Sequence, residues 1–206
     1  LEEQNFAAAP RLLDVDEGGC LVLSYIDGFG APDLDVSRWT PEQIEAAFAL
    51  LRRYHDITAG SPLAGSAEVV CHNDFTPQNV VFDDGAPVGI IDWEWAAPGS
   101  RRRDLGHAIW QWLNVSAWGP PIDDLAQLIH RALGAYGLAA DASIPADIEA
   151  REVEWLNIAT QAARAGHDTW DRSPAHWTGT AQWVAEELRW LRSHATVLAD
   201  AINAYA

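Results

Sequence analysis

His72, Asp74, Asn79 and Asp92 are the residues of this chain whose types and spacing add up to chemistry. They fall in the run Val69-Val70-Cys71-His72-Asn73-Asp74-Phe75-Thr76-Pro77-Gln78-Asn79-Val80-Val81-Phe82 and, after a short turn, in Gly89-Ile90-Ile91-Asp92-Trp93. As a pattern this is His-x-Asp-x-x-x-x-Asn, a hairpin turn at Asp83-Asp84-Gly85, and an Asp directly after the apolar pair Ile90-Ile91. Moving a phosphoryl group requires a carboxylate beside the attacking hydroxyl and hard oxygen ligands for the cation on the phosphates. Asp74 has the chemistry for the first task, and Asn79 with Asp92 for the second. A lone Asp or His is common; this ordered set at the ends of apolar strands is not. The competing reading is a β-hairpin whose Asp and Asn residues only make turns and caps.

The wording Asn73-Asp74-Phe75-x-x-x-Asn79, followed by Asp92-Trp93-Glu94, resembles the catalytic loop and metal-binding Asp of protein kinases. It is most similar to the aminoglycoside and choline phosphotransferase family. The resemblance implies an α+β, mostly helical fold: a protein-kinase-like large lobe with a catalytic β-hairpin, and a remnant of the small lobe. It implies Asp74 as catalytic base, His72 as the brace of its loop, and Asn79 and Asp92 as Mg²⁺ ligands. ATP or GTP would be the phosphoryl donor, with the adenine ring against the backbone of Ser24, Tyr25 and Ile26 in a hinge at Leu23 to Gly28. Asp104, in an Asp-Leu-Gly element, would hold the catalytic loop by hydrogen bonds, and Glu94 is a second carboxylate near the metal. By the same resemblance, residues 1–28 are the small-lobe remnant and hinge. Residues 29–206 are the large lobe, whose helices after residue 120 bind a small, amine-bearing acceptor such as an aminoglycoside.

Other parts of the family pattern are missing. Its small lobe carries a glycine-rich flap and a strand Lys that pairs with the phosphates. This chain has no Lys, all thirteen basic residues being Arg; it has no Met and opens on Leu1. The resemblance runs from about Leu12 to the C-terminus. A fragment whose front carries those parts and a shortened relative that does without them both fit. The alternatives to an enzyme are a non-catalytic nucleotide- or ligand-binding relative and a helical interaction protein with a relic hairpin. Strands bared by a missing lobe, between Arg11 and Ile26, are expected to seek a partner and give a homodimer.

Around these residues the sequence sets out the elements that must position them. Arg11 to Val15 and Cys20 to Ile26 read as strands joined by Asp16-Glu17-Gly18-Gly19. Leu1 to Phe6 reads as the tail of a helix, and Gly28-Phe29-Gly30 as a turn. Thr40 and Gln43 form a capping box with Pro41 at the first helical position, opening a helix to about Ile57. After Asp92 the loop Ala97-Pro98-Gly99-Ser100 leads to a second apolar stripe at Leu105, Ala108, Ile109 and Trp112. Further helices are predicted at about Ile122 to Tyr136, Pro145 to Ala165 and Gly179 to Tyr205. Arg101-Arg102-Arg103 is expected to pair with nearby acids, His107 to be a satisfied core histidine, and the Trp-rich section from Trp155 to Trp190 to be core rather than an aromatic cage.

Thirty acidic against thirteen basic side chains give a net charge of −17, which repels nucleic acid and anionic membranes. Neither is expected as a partner. Cys20 and Cys71 lie in apolar runs without metal spacing and read as small core residues in a reducing compartment. With no signal segment or membrane-length apolar stretch, the expected location is the cytoplasm.

Overall fold

The computed structural model describes residues 1, 6–30 and 38–205. Most of the expected helical tail at the start lies outside the described residues. Among those described, five helices carry the molecule and three small antiparallel sheets are set against them.

Helix α1 (Pro41–Thr58) starts at the expected capping box. The Thr40 hydroxyl accepts the Gln43 N–H, and the Gln43 side chain accepts the Thr40 N–H. Helix α2 (Arg101–Leu113) is buried on every face from Asp104 onward, the mark of a helix at the centre of a fold rather than on its surface. Helices α3 (Ile122–Tyr136), α4 (Ile144–Arg164) and α5 (Pro174–Asn203) surround it. Helix α4 packs on α2 and α5, and α3 on α1. Helix α5 begins at Pro174 rather than Gly179, because Ser173 caps it by accepting the His176 N–H.

Strand β4 (Val69–Cys71) is fully buried and pairs with β7 (Ala97–Gly99), a stretch that reads as loop. Strands β5 (Val80–Asp83) and β6 (Ala86–Ile90) form the expected hairpin. Its two-residue turn, Asp84-Gly85, takes φ of 47° and 79°, the left-handed pair that matches strand twist. Gly28-Phe29-Gly30 is more than a turn. Phe29 and Gly30 form β3 on the outer edge of β5. A Cβ on Gly28 would stand 2.6 Å from the Phe82 carbonyl oxygen, at φ 144°, so only glycine lets the chain cross the hairpin there.

Strands β1 (Leu12–Val15) and β2 (Leu21–Leu23) pair with each other, and every residue in both is exposed. The second strand stops short of Ile26, since Ser24 turns its N–H and hydroxyl to the Arg11 backbone. The core reading of Cys20 is corrected: its N–H is tied to the Asp16 carboxylate of the exposed hairpin turn. Cys71 is buried in β4, where burial pushes its thiol up to about 12. No helix among the described residues is long and apolar enough to cross a membrane.

Candidate active site

Two tight bends put the sequence-selected residues side by side. Asn73 and Asp92 both adopt left-handed backbone, at φ 65° and 64°. Such geometry costs a non-glycine residue roughly 1–3 kcal/mol and clusters at functional sites. Three contacts sew the bends together. The Ile91 N–H donates to the Asn79 carbonyl at 2.9 Å. His72 Nε2 meets the Ile91 carbonyl at 3.0 Å, and His72 Nδ1 faces the Asp74 N–H at 3.3 Å. A carbonyl only accepts and a backbone N–H only donates, so His72 is neutral with its proton on Nε2. It spans from the Asp74 backbone to the residue before Asp92.

Beneath the loop lies Asp104, with no solvent exposure. Its two oxygens accept the N–H groups of His72 and Asn73, each at 2.7 Å, and His55 Nε2 stands 2.9 Å away. Burial alone would raise its pKa; the hydrogen bond and charge of His55, with the backbone N–H of His72, outweigh that and hold the carboxyl at about 2. The support extends backward, because His55 Nδ1 meets the Tyr136 hydroxyl at 2.6 Å and Arg101 donates to the same oxygen. From the other side, Arg103 donates to Asn73 Oδ1 and the buried Arg151 to the Asn73 carbonyl. Three of these residues, His55, Tyr136 and Arg151, carry no local signal in the sequence.

The Asp74 side chain keeps 22% exposure. Asn79 Nδ2 donates both to its Oδ2 at 2.8 Å and to its carbonyl at 2.9 Å. Because both partners are acceptors, the amide orientation of Asn79 is fixed by chemistry, and its Oδ1 faces away from Asp74. His107 Nε2 stands 3.3 Å from Asp74 Oδ1. Asp92 is exposed at the end of the hairpin. Glu94 is also exposed, in the turn closed by the Ala96 N–H and Trp93 carbonyl, and makes no hydrogen bond to the other four among the described residues. Ser24, Tyr25 and Ile26 line a cleft of about 590 Å³ together with Phe6, Ala9 and Arg11, a volume that suits a nucleotide-sized ligand. That cleft borders the hairpin: the Ala8 carbonyl accepts the Ile90 N–H at 2.7 Å, two residues before Asp92.

The three consecutive arginines meet acids: Arg101 pairs with Asp56 and Glu68, Arg102 with Asp141 and Asp147, and Arg103 with Glu154. The tryptophans pack on one another. Trp95 lies 5.4 Å from Trp155 and 5.0 Å from Trp170, and Trp170 is 5.6 Å from Trp177. Rings this close leave no gap for a cationic headgroup between them. Of the acids in the later helices, Glu149 pairs with Arg192, Glu154 with Arg103 and Arg151, and Glu152 is buried. His107 is not the satisfied core histidine expected, since its Nδ1 is buried without a partner among the described residues.

The profile of the phosphotransferase enzyme family matches residues 27–142, more than half of the chain. This chain belongs to that family. The match takes in both bends, the hairpin, α1, α2 and α3. The sequence is also similar to the trifolitoxin immunity protein of Rhizobium leguminosarum bv. trifolii, 34% identical over 146 residues. That similarity covers 63% of this chain and 52% of the relative, so the chain spans about half the length of the curated relative it matches. Membership supports a kinase-like transferase in a mixed, mostly helical fold.

Proposed function

We propose that this chain transfers the terminal phosphoryl group of ATP or GTP to a hydroxyl of a small, amine-bearing molecule such as an aminoglycoside. The observation that carries the reading is the state of Asp74. Its carboxylate is held from Asn79 and stays open on one flank, while the amide that holds it turns its own oxygen away, toward the side where a cation would sit. Asp74 orients the acceptor hydroxyl and takes its proton. His72 and Asp104 fix the loop that carries it.

Asn79 Oδ1 and the Asp92 carboxylate are hard oxygen donors at adjoining bends. They fit Mg²⁺, which keeps waters and needs only one or two protein ligands when phosphates supply the rest. Bound there, the ion would neutralise phosphate charge during transfer. The cleft beside Ser24, Tyr25 and Ile26 takes the base of the nucleotide. In this reading residues 1–28 supply small-lobe strands and the hinge, residues 29–206 form the large lobe, and the protein works in the cytoplasm. The relative's name, an immunity protein, supports a role in protection against a toxic compound.

Calorimetry of the chain with Mg-ATP and Mg-GTP tests the reading directly. Binding is expected to need both metal and nucleotide, and Asp92→Ala should remove the metal-dependent part. Equal binding by Asp92→Ala would take that residue out of its role. A second reading is favoured by one observation, the absence of Lys from the sequence: the chain binds nucleotide without transferring phosphate. Acceptor phosphorylation separates the two. Turnover that drops by about 10²–10⁴ in Asp74→Asn, with nucleotide affinity kept, supports the enzyme.

A further inference from the structure

We propose that His107 is a positioning residue for Asp74: a neutral ring that donates from Nε2 to Asp74 Oδ1 and, with Asn79 on Oδ2, fixes the orientation of that carboxylate. This rests on the reading of Asp74 as the base and adds a residue to it.

His107 projects from the central helix one turn beyond Asp104 and is 2% exposed. Its ring is gripped by two tryptophans. Trp110 meets it edge-on at 5.6 Å and 90°, and Trp155 lies nearly parallel at 5.9 Å and 29°. Such a slot leaves the ring little freedom to rotate, so Nε2 is aimed at Asp74 by packing rather than by the hydrogen bond itself. The separation of 3.3 Å is at the long end for a hydrogen bond. Contacts of this kind tighten once substrate is in place.

The tautomer follows from the two ends of the ring. Nε2 faces a carboxylate, which accepts, and Nδ1 is buried with no partner among the described residues. One proton on Nε2 satisfies the first and leaves Nδ1 as an unmet acceptor; a second proton on Nδ1 would bury an unmet cationic donor. Burial lowers the ring's pKa against the pull of Asp74, in keeping with the neutral form.

An orphaned Nδ1 is a liability for folding. A phenyl ring would fill the same aromatic slot without it. The packing therefore gives no reason for a histidine at this position, whereas Asp74 does. With Oδ2 tied to Asn79 and Oδ1 to His107, the carboxylate cannot swing, and its outward lone pairs point through the exposed flank to the place of an acceptor hydroxyl.

The test is NMR of the whole chain labelled with ¹⁵N-histidine and ¹³Cγ-aspartate. It needs neither acceptor nor turnover, so it can fail separately from the base reading, which stands or falls on turnover in Asp74→Asn. The unsubstituted His107 ring should be the Nε2–H tautomer, and Asp74→Ala should shift its Nε2 proton while the remote rings of His176 and His194 stay put. In His107→Phe, the Asp74 ¹³Cγ signal should move or double while that of Asp104 stays, and the protein should melt at or above the parent's temperature. A His107 ring protonated on Nδ1, or an Asp74 signal unmoved by His107→Phe, would overturn the proposal. If His107→Phe does not fold, the tautomer and its response to Asp74→Ala decide the matter alone.

Discussion

A carboxylate without access to solvent stays ionised only when neighbours replace the water, and Asp104 has the N–H groups of His72 and Asn73 and the ring of His55 to do so. It fixes the two N–H groups that lead into the left-handed bend at Asn73, and Arg151 holds the Asn73 carbonyl beyond it, so the strain of that bend is held by its surroundings rather than by the loop itself. Asp104→Ala would leave two backbone donors and one ring nitrogen buried without an acceptor. The expected cost is about 3–5 kcal/mol, the range for breaking a buried charged network, read by denaturant unfolding. A loss below about 1 kcal/mol would mean that the loop holds its shape alone. The contribution of the ionised form is complete above the usual carboxylate value near 3.8 and is lost as pH falls toward about 2.

Helix α2 is the element on which the site depends, because it carries Asp104 and His107 and packs closely on α4. That contact is close. A Cβ on Gly106 would stand 2.5 Å from the Asp147 carbonyl oxygen of α4. Gly106→Ala gains about 0.5–1 kcal/mol in helix propensity but must push two packed helices apart, which costs about 1–3 kcal/mol. The variant should be less stable, with its melting point lowered. A melting point above the parent's would show that α4 yields easily. Much of this was legible beforehand. The capping box at Thr40 and Gln43 and the Asp-Gly turn are short-range signals, and both elements lie where those residues put them. Strand β7 was not legible: Ala97-Pro98-Gly99 has loop composition and becomes a strand only because the edge of β4 is there to pair with it. The grip of His55, Tyr136 and Arg151 on the loop depends on residues between 49 and 81 positions apart in contact, and no local pattern encodes that.

At the scale of the whole molecule, two features stand out as departures from a settled surface and core. On the outside, β1 and β2 expose Leu13 at 60%, Leu21 at 63% and, just beyond, Tyr25 at 82%, with both outer strand edges unpaired among the described residues. Self-association through this hairpin is expected, opposed by the net charge of −17 and so promoted by salt, which screens it. Sedimentation showing a monomer at high concentration and high salt would count against it.

On the inside, two acids face each other between α4 and α5. Glu152 is fully buried with both carboxylate oxygens unpartnered among the described residues, and Glu187 gives one oxygen to the Trp110 indole N–H at 2.7 Å. Burial, then the charges of Glu187 and Glu149, push Glu152 up to about 9 against the pull of Arg192. Burial likewise raises Glu187 to about 7, against the indole N–H groups of Trp110 and Trp183. Both folded values exceed the ordinary 4.5, so between them the folded chain binds more protons than the unfolded one and stability falls as pH rises. The contribution is complete below about 4.5 and is lost through about 7 for Glu187 and about 9 for Glu152. The melting temperature should therefore decline from about pH 4.5 to about 9, most steeply below about 7 where both acids contribute. Glu152→Gln keeps the side-chain shape and removes the upper titration, so its decline should be shallower and its stability at about pH 9 higher than the parent's. Parallel curves for the two proteins would mean that Glu152 ionises as readily inside as outside, and that α4 and α5 part enough to let water reach it.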